Sequence, residues 1–285
     1  MAHSVLRDYI QQVTRLDSFP LGTAITFWPA AFGVTMAAIA FDISIPDFVR
    51  QLLCVGIGCT LLHSTICVLN DIAARNIDGL VERTKQRPLV IGAVPLRGAW
   101  ILFAGLLSIL ICILLALANE TTVTFGLLSL PLHVLYPYSK RWTWWPQAWL
   151  GISIGWSIFV GWFSIAGARS SRTNTLAVVL MCSRSWAIYY DTVYASQDVE
   201  DDTRIGVLST ARLFESRVQA FTTCFATCVV LLLIYNGTLN EYGVLYYTLT
   251  CGGASCHFLW QLSNWEPKDN ESSAKIFKVL CCSLL

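Results

Sequence analysis

Eight stretches of 16 to 21 mostly apolar residues follow one another along this 285-residue chain. A helix that crosses the hydrocarbon core of a bilayer needs about 20 such residues, because each residue adds only about 1.5 Å to its length. The stretches leave no room for a separate soluble domain, so we predict an all-α, multispan transmembrane helical bundle that forms a single domain over residues 1–285. The eight predicted spans are 21–41, 52–69, 98–118, 122–137, 147–167, 174–192, 218–235 and 242–262.

The charge content agrees with this class and excludes others. Only 13% of the residues are charged and 55% are hydrophobic, whereas an average soluble domain is about 25% charged. The 11 cysteines are scattered through apolar stretches, which is typical of small buried side chains rather than of a disulfide framework. With a formal net charge of +1, we expect a lipid bilayer as the surroundings and no nucleic-acid partner.

The distribution of basic residues predicts the orientation. Most of the 19 lysines and arginines lie before the first span, after spans two, four and six, or in the carboxyl-terminal tail. The positive-inside rule places that side in the cytoplasm. The first 20 residues have no apolar signal region, and Asp8 and Asp17 are atypical of a mitochondrial presequence. We therefore expect the endoplasmic reticulum or another endomembrane as the location.

Polar and ionisable residues concentrate in two clusters, each of which begins where an apolar stretch ends. Ionisable groups at membrane depth are costly and usually functional. The clusters follow the second and the sixth span, so both lie on the same predicted side of the membrane. The first cluster runs from Asn70 to Arg87, and the second runs from Asp191 to Arg204.

The spacing within each cluster favours a metal-assisted anion site. If the helices continue, Asp71 and Asp78 share one face of the first helix, and Asp191, Asp198 and Asp202 share one face of the second. Facing acidic surfaces repel each other unless cations intervene, and carboxylate oxygens suit Mg²⁺, which takes phosphate oxygens as further ligands. The neighbouring basic residues then fit a diphosphate. Solvated loops between helices and a cation-transport site are the alternative interpretations.

The motifs that carry these clusters resemble the UbiA-type membrane prenyltransferases. Residues 70–89 contain Asn-Asp, a further Asp, and Glu-Arg-Thr-Lys-Gln-Arg-Pro, and residues 190–210 contain Asp-Thr-Val-Tyr followed by Asp-Val-Glu-Asp-Asp. Residues 136–151 are a third match, and residues 21–29 resemble the first span of the family. The matches occur in the family's order and cover residues 15 to about 265.

The resemblance implies a bundle of nine helices around a central cavity, in which a polyprenyl group passes from its diphosphate to an acceptor, often a phenol. It implies Mg²⁺ as cofactor, and a polyprenyl diphosphate and an aromatic small molecule as partners. Asp191 and Tyr194 would be the catalytic residues at the reacting centre. The implied diphosphate contacts are Lys85, Arg87, Lys140 and Arg204. The implied metal ligands are Asn70, Asp71, Asp78, Asp198 and Asp202.

The chain departs from the family pattern at two places. Ala74 stands where the first motif normally has a third carboxylate, and an alanine side chain cannot ligate a metal ion. The match to the family also ends one span short of nine, although Phe277 and Lys278 still resemble it. We therefore expect a truncated or altered carboxyl end, together with weaker Mg²⁺ binding, changed chemistry or reduced activity.

We interpret the chain as a Mg²⁺-dependent polyprenyltransferase that acts on an aromatic acceptor. The segment 64–70 and the cysteine-rich spans most resemble fungal enzymes of meroterpenoid secondary metabolism, for which farnesyl is the donor by analogy. The alternatives are a terpene cyclase on the same scaffold, a 4-hydroxybenzoate polyprenyltransferase of the ubiquinone pathway, and an inactive relative or transporter.

Overall fold

The computed structural model describes residues 2–169 and 172–282, and within these ranges the chain is helical without a β-strand. This confirms the predicted all-α class. The α-helices of the described ranges, in chain order, are α1 (Ala2–Thr14), α2 (Leu21–Phe41), α3 (Ile45–Asp78), α4 (Leu96–Leu117), α5 (Glu120–Ser139), α6 (Pro146–Gly155), α7 (Ser157–Ala166), α8 (Thr173–Ala195), α9 (Val199–Ile205), α10 (Thr210–Leu213), α11 (Val218–Leu239), α12 (Gly253–Asn264) and α13 (Asn270–Cys282).

Five helical segments of the described chain are long and apolar enough to cross a membrane. The predicted spans 122–137, 174–192 and 242–262 are helical too, but they are more polar or less regular. Helix α5 contains two prolines, and residues Tyr246–Gly252 before α12 are π-helical. The count of eight crossings therefore stays a prediction. The five segments are Gly22–Phe41, Ile45–Asp78, Leu96–Leu117, Pro146–Ala166 and Glu215–Leu239.

Helix α3 carries the first polar cluster beyond the hydrocarbon core. Its start is set by Ser44, whose side chain accepts a hydrogen bond from the Asp47 amide at 3.3 Å, and by Pro46 in the first turn. From there it runs for 34 residues, or about 51 Å, against a core of about 30 Å. The predicted continuation of this helix through Asp78 is thus confirmed, and its last turns reach the membrane edge.

Helices α2 and α7 pack in backbone contact. Gly33 lies against the backbone of Ile158, and Gly161 lies against the carbonyl oxygen of Ala30, so that a Cβ atom at either glycine would overlap the facing helix. Small residues permit this close approach, which is a common way of joining helices within a bilayer. The contact holds the amino-terminal part of the bundle to its middle.

Helix α8 lies at the centre and packs against α6, α11 and α13. Its buried Tyr189 donates a hydrogen bond to the Gln261 side chain of α12 at 2.8 Å, and Val193 is fully buried. Near its carboxyl end, Phe277 of α13 lies with its ring centroid 4.6 Å from that of Tyr194. Because α3, α5 and α8 all end at the same side of the bundle, their polar carboxyl ends meet there.

Candidate active site

A cavity of about 320 Å³ opens where the carboxyl ends of α3, α5 and α8 meet, and it extends inward between α2, α3, α5, α6 and α8. The structure brings most of the predicted site residues into its wall, although they come from segments more than 100 residues apart. The predicted residues that line the cavity are Asn70, Asp78, Arg87, Lys140, Asp191, Tyr194, Asp198 and Asp202.

Three predicted residues, Asp71, Lys85 and Arg204, do not line this cavity, so their role as direct ligands stays a prediction. Asp71 is 1% exposed and is held in ion pairs behind the wall. Lys85 binds Glu82 at 2.6 Å, and Arg204 binds Asp201. Each of these charges has an opposite charge as its partner in the structure.

A chain of ion pairs supports the first wall of the site. The Arg15 guanidinium donates to both carboxylate oxygens of Asp71, at 2.8 and 3.3 Å. Arg87 donates to Asp71 at 3.2 Å and to Asp78 at 2.6 Å, which joins the buried carboxylate to the one that faces the cavity. Two arginines thus compensate two acids in a low-dielectric setting, where an unpaired charge would be costly.

Arg83 links the two polar clusters across the site. It donates from Nε to one oxygen of Asp198 at 3.0 Å and from Nη2 to the other at 2.6 Å, which is the bidentate geometry that gives the strongest pairs. Its guanidinium carbon also lies 4.8 Å from the centroid of the Tyr194 ring. Since Asp201 accepts the backbone N–H of Glu82 at 3.0 Å, the loop after α3 is docked onto α9.

Three charged groups in the cavity wall have no ion pair within the described part of the chain: Lys140, Asp191 and Asp202. Burial raises the pKa of Asp202 to about 6, against the opposite effect of Lys140. A cation bound beside Asp202 would therefore compete with a proton. Lys140 is the unpaired cation that an incoming anion would meet.

The oxygen donors in the wall fit Mg²⁺ with a diphosphate. Asn70 and Asp78 face the cavity from α3, and Asp198 and Asp202 face it from the segment after α8. Among residues 2–169 and 172–282 no three His, Cys, Asp or Glu side chains cluster as a metal centre would require. Mg²⁺ does not need such a cluster, because one or two carboxylates together with water and substrate phosphate suffice. Ala74 lines the same wall and adds no donor.

The interior of the cavity is apolar and aromatic. Tyr136, Tyr190 and Phe277 surround the inner side of the polar end, and aliphatic residues such as Ile66 and Leu150 continue the wall inward. Aromatic faces attract cations, and their burial excludes water. The arrangement can hold an anion at its mouth and an apolar chain in its depth.

The comparisons with known proteins agree with this arrangement. The model of the UbiA prenyltransferase family matches residues 26–284. This chain belongs to the UbiA prenyltransferase family. It is an enzyme that transfers prenyl groups from diphosphate donors, and it is a multi-pass membrane protein, which confirms the family and the enzyme class predicted from the motifs.

Fungal and bacterial proteins are among the similar sequences. The chain is 39% identical to UbiA prenyltransferase claS of Ampulloclitocybe clavipes, over 93% of this chain and 84% of that protein. It is 33% identical to the mitochondrial 4-hydroxybenzoate polyprenyltransferase of Schizosaccharomyces pombe, over 92% and 73%. A 4-hydroxybenzoate octaprenyltransferase of Pseudomonas aeruginosa is 34% identical, over 94% and 86%.

Solved structures show the same fold at lower sequence identity. A UbiA homolog from Aeropyrum pernix K1 superposes with a TM-score of 0.76 at 23% identity, over 92% of this chain and 96% of that one. A UbiA homolog from Archaeoglobus fulgidus bound to GPP and Mg²⁺ has a TM-score of 0.70 at 18% identity, over 97% and 96%.

Several residues of the site have no role that the order of residues indicates. Arg15 counted only as a basic residue before the first span, and its pairing with Asp71 joins positions 56 residues apart. Arg83 lies within the first motif, but nothing local distinguishes it from the neighbouring Lys85 and Arg87. Phe277 was noted as similar to the family, and only the packing of α13 brings it to the cavity.

Proposed function

We propose that this UbiA family member transfers a polyprenyl group from its diphosphate to a ring carbon of a phenolic acceptor with the help of Mg²⁺. The observation that carries the proposal is a single cavity that joins two pairs of oxygen donors and an unpaired lysine at its mouth to an aromatic interior. Two relatives that are 33% and 34% identical are named for 4-hydroxybenzoate, which supports a phenol as the acceptor.

Asn70 and Asp78 would hold one Mg²⁺, and Asp198 and Asp202 would hold another. The archaeal relative solved with GPP and Mg²⁺ supports this choice of metal. Bound there, Mg²⁺ would neutralise the charge of the departing diphosphate. Asp71, Lys85 and Arg204 take no direct part in the proposal, because they do not line the cavity.

The side chains of the cavity bind the diphosphate, orient the acceptor, accept its proton and exclude water. Lys140, Arg83 and Arg87 contact the diphosphate, which leaves with the electron pair of its bond to the first prenyl carbon. Asp191 and Tyr194 lie by that carbon and orient the acceptor. As the ring carbon bonds to the prenyl carbon, the ring loses a proton, and Asp191 accepts it because no arginine occupies its oxygens. Tyr136, Tyr190 and Phe277 exclude water from the reacting carbon.

We further propose that the two polar clusters face the cytoplasm, that the enzyme resides in the endoplasmic reticulum or another endomembrane, and that it serves secondary metabolism. The 39% identity to claS of Ampulloclitocybe clavipes supports the last point. The basic residues of the loop that follows α3 support the orientation.

The test is product analysis with the purified protein, Mg²⁺, a panel of prenyl diphosphates and 4-hydroxybenzoate. We expect a ring-prenylated acceptor and released diphosphate, both lost in the Asp198→Asn/Asp202→Asn variant. The matched control is Glu200→Gln, which removes one charge from an exposed position of the same segment. A cyclic hydrocarbon formed without acceptor would contradict the proposal and identify the protein as a terpene cyclase. Unchanged diphosphate release in the double variant would contradict the assigned site.

A further inference from the structure

A second, smaller chamber adjoins the active-site cavity. It has a volume of about 140 Å³ and lies between α3, α4, α5 and α7. Leu62 of α3 and His133 of α5 line both spaces, so the two adjoin at these side chains. Residues that represent its wall are Gly58, Leu62, Ile113, Leu114, Gly126 and His133.

The chamber lies along the line that leads away from the polar end. On α3, Leu62 is about 12 Å below Asn70, and Gln51 at the far end of the chamber is about 16 Å further. On α5, His133 is about 10 Å below Lys140, and Thr122 is about 16 Å further. The distances along α3 and α5 therefore agree: Leu62 and His133 lie at about the same depth below the polar end, and the chamber has about the same length along both helices.

The wall of the chamber offers little to a polar ligand. Its hydroxyl groups are already used, since Ser129 donates to the Gly126 carbonyl at 2.6 Å and Ser164 donates to the Gly161 carbonyl at 2.7 Å. Most of the remaining wall is aliphatic. A cavity of about 150 Å³ with such a lining stays dry and binds benzene, so the chamber suits about one isoprene unit.

We propose that this second chamber holds the distal isoprene unit of the donor, and that the prenyl chain reaches it by passing between Leu62 and His133. The inference rests on the proposed function, because it assumes that the diphosphate lies at the polar end. It makes the chamber a determinant of donor length: short chains end in the first cavity, whereas longer chains gain contact area beyond the passage.

His133 presents a polar atom on this proposed route. His133 Nδ1 lies 2.8 Å from the Ser129 carbonyl and must donate to it, which leaves Nε2 as a buried acceptor without a partner. A hydrocarbon chain gains no hydrogen bond there. The gain for long donors therefore comes from the aliphatic wall beyond the ring.

Gly58 is the position at which the chamber can be filled without disturbing the bundle. A Cβ atom at Gly58 would meet no atom within 4 Å, although the residue lines the chamber. Gly105 on the neighbouring helix α4 is the matched control, since a Cβ there is equally free but lies on an exposed face outside both spaces.

The experiment measures the binding of geranyl and geranylgeranyl S-thiolodiphosphates, which resist ionisation, to the purified protein with Mg²⁺. In Gly58→Phe we expect the affinity for the geranylgeranyl probe to fall about tenfold or more, because several carbons lose their apolar contacts, while geranyl binding stays within about twofold. Gly58→Ala should give a smaller loss in the same direction. Gly105→Phe should bind both probes as the wild type does.

Equal losses for both probes, or no loss for either, would overturn the inference. No loss is also the result expected if a bilayer lipid fills the chamber instead of the donor. Thermal unfolding of each variant checks that the bundle is intact, and the Ala variant keeps the test decisive if the Phe variant does not fold. The probes bind without an acceptor, so this experiment can be interpreted even if the protein does not transfer a prenyl group to an aromatic ring. The chamber proposal and the proposed function can therefore fail independently.

Discussion

At the scale of single residues, the buried carboxylate of Asp71 shows how a membrane protein supports its active site from behind. The side chain is 1% exposed and lies in ion pairs with Arg15 and Arg87, and Arg87 also binds Asp78 in the cavity wall. A buried pair of this kind contributes little net stability, but the loss of one partner leaves an uncompensated charge. Asp71 therefore positions Arg87 and Asp78.

Arg15→Gln should destabilise the fold by about 1–3 kcal/mol, less than for a fully buried pair, because Arg87 remains and Arg15 is 26% exposed. Thermal unfolding in detergent measures the change. Arg7→Gln, which removes a charge from an exposed position of α1, should have no comparable effect. The double variant Arg15→Gln/Asp71→Asn should regain part of the stability that Arg15→Gln loses. If the stability losses of the two single variants simply add in the double variant, the proposed coupling between Arg15 and Asp71 is contradicted.

Ala74 is the residue at which a carboxylate is missing from the site. It faces the cavity one helical turn from Asn70 and from Asp78. Ala74→Asp should lower the Mg²⁺ concentration for half-maximal turnover by about tenfold, because the affinity of oxygen sites rises with the charge of their ligands. Asn76→Asp adds the same charge on the exposed side of α3 and is the control. An unchanged Mg²⁺ dependence in Ala74→Asp would contradict the assignment.

At the scale of the elements, close backbone contacts at glycines and buried large side chains together hold the bundle. Helices α2 and α7 touch through backbone at Gly33 and Gly161, and Gly151 of α6 lies against the backbone of Arg184 in α8. Helix α8 also buries large side chains such as Tyr189 against its neighbours. Residues of α2 between Gly22 and Thr26 line the cavity, and α2 also packs against α6.

Gly161→Val should separate α2 from α7, because the added side chain would overlap the Ala30 carbonyl group. We expect a loss of about 1–3 kcal/mol or more, as for overpacked cores. The readouts are the melting temperature and the monodisperse fraction after extraction in detergent. Gly105→Val, on an exposed face of α4, should behave as the wild type, and equal melting temperatures for the two variants would refute the close packing.

At the scale of the whole molecule, the three helix ends that carry the polar groups share one side of the bundle. The chamber and the cavity then extend from that side toward the opposite side. Basic residues are concentrated on the same side, since the loop after α3 and the segment after α8 contain Arg83, Lys85, Arg87 and Arg204. Such an asymmetry sets orientation in a membrane.

Membrane-impermeant maleimide should therefore reach Glu82→Cys from the cytoplasmic face of sealed microsomes, in a background without native cysteines. Glu241→Cys, in the turn after α11, should react only after the membrane is permeabilised. Both positions are exposed, so access to the reagent depends on the side of the membrane. The reverse labelling pattern would contradict the predicted orientation.

Much of this protein could be predicted without its tertiary structure. The lengths of the apolar stretches determined the helical class, because a bilayer leaves no other way to satisfy the backbone of such segments. The motifs around Asp78 and Asp198 indicated the family and most of the charged residues in the cavity wall. These properties are local, because they depend on which residues follow one another and not on how the helices pack.

Only the tertiary structure decided which charges face the substrate. Asp71 and Asp78 lie on one helical face, yet only Asp78 reaches the cavity, because Arg15 arrives from another helix and binds Asp71 behind the wall. Lys85 and Arg204 each pair with an acid three residues earlier in the chain, whereas Lys140 has no ion pair among the described residues. The pairing of Asp71 with Arg15, in contrast, depends on a contact between distant segments, whose energy the order of residues does not reveal. The sequence thus determined the chemistry that is present, and packing decided where it acts.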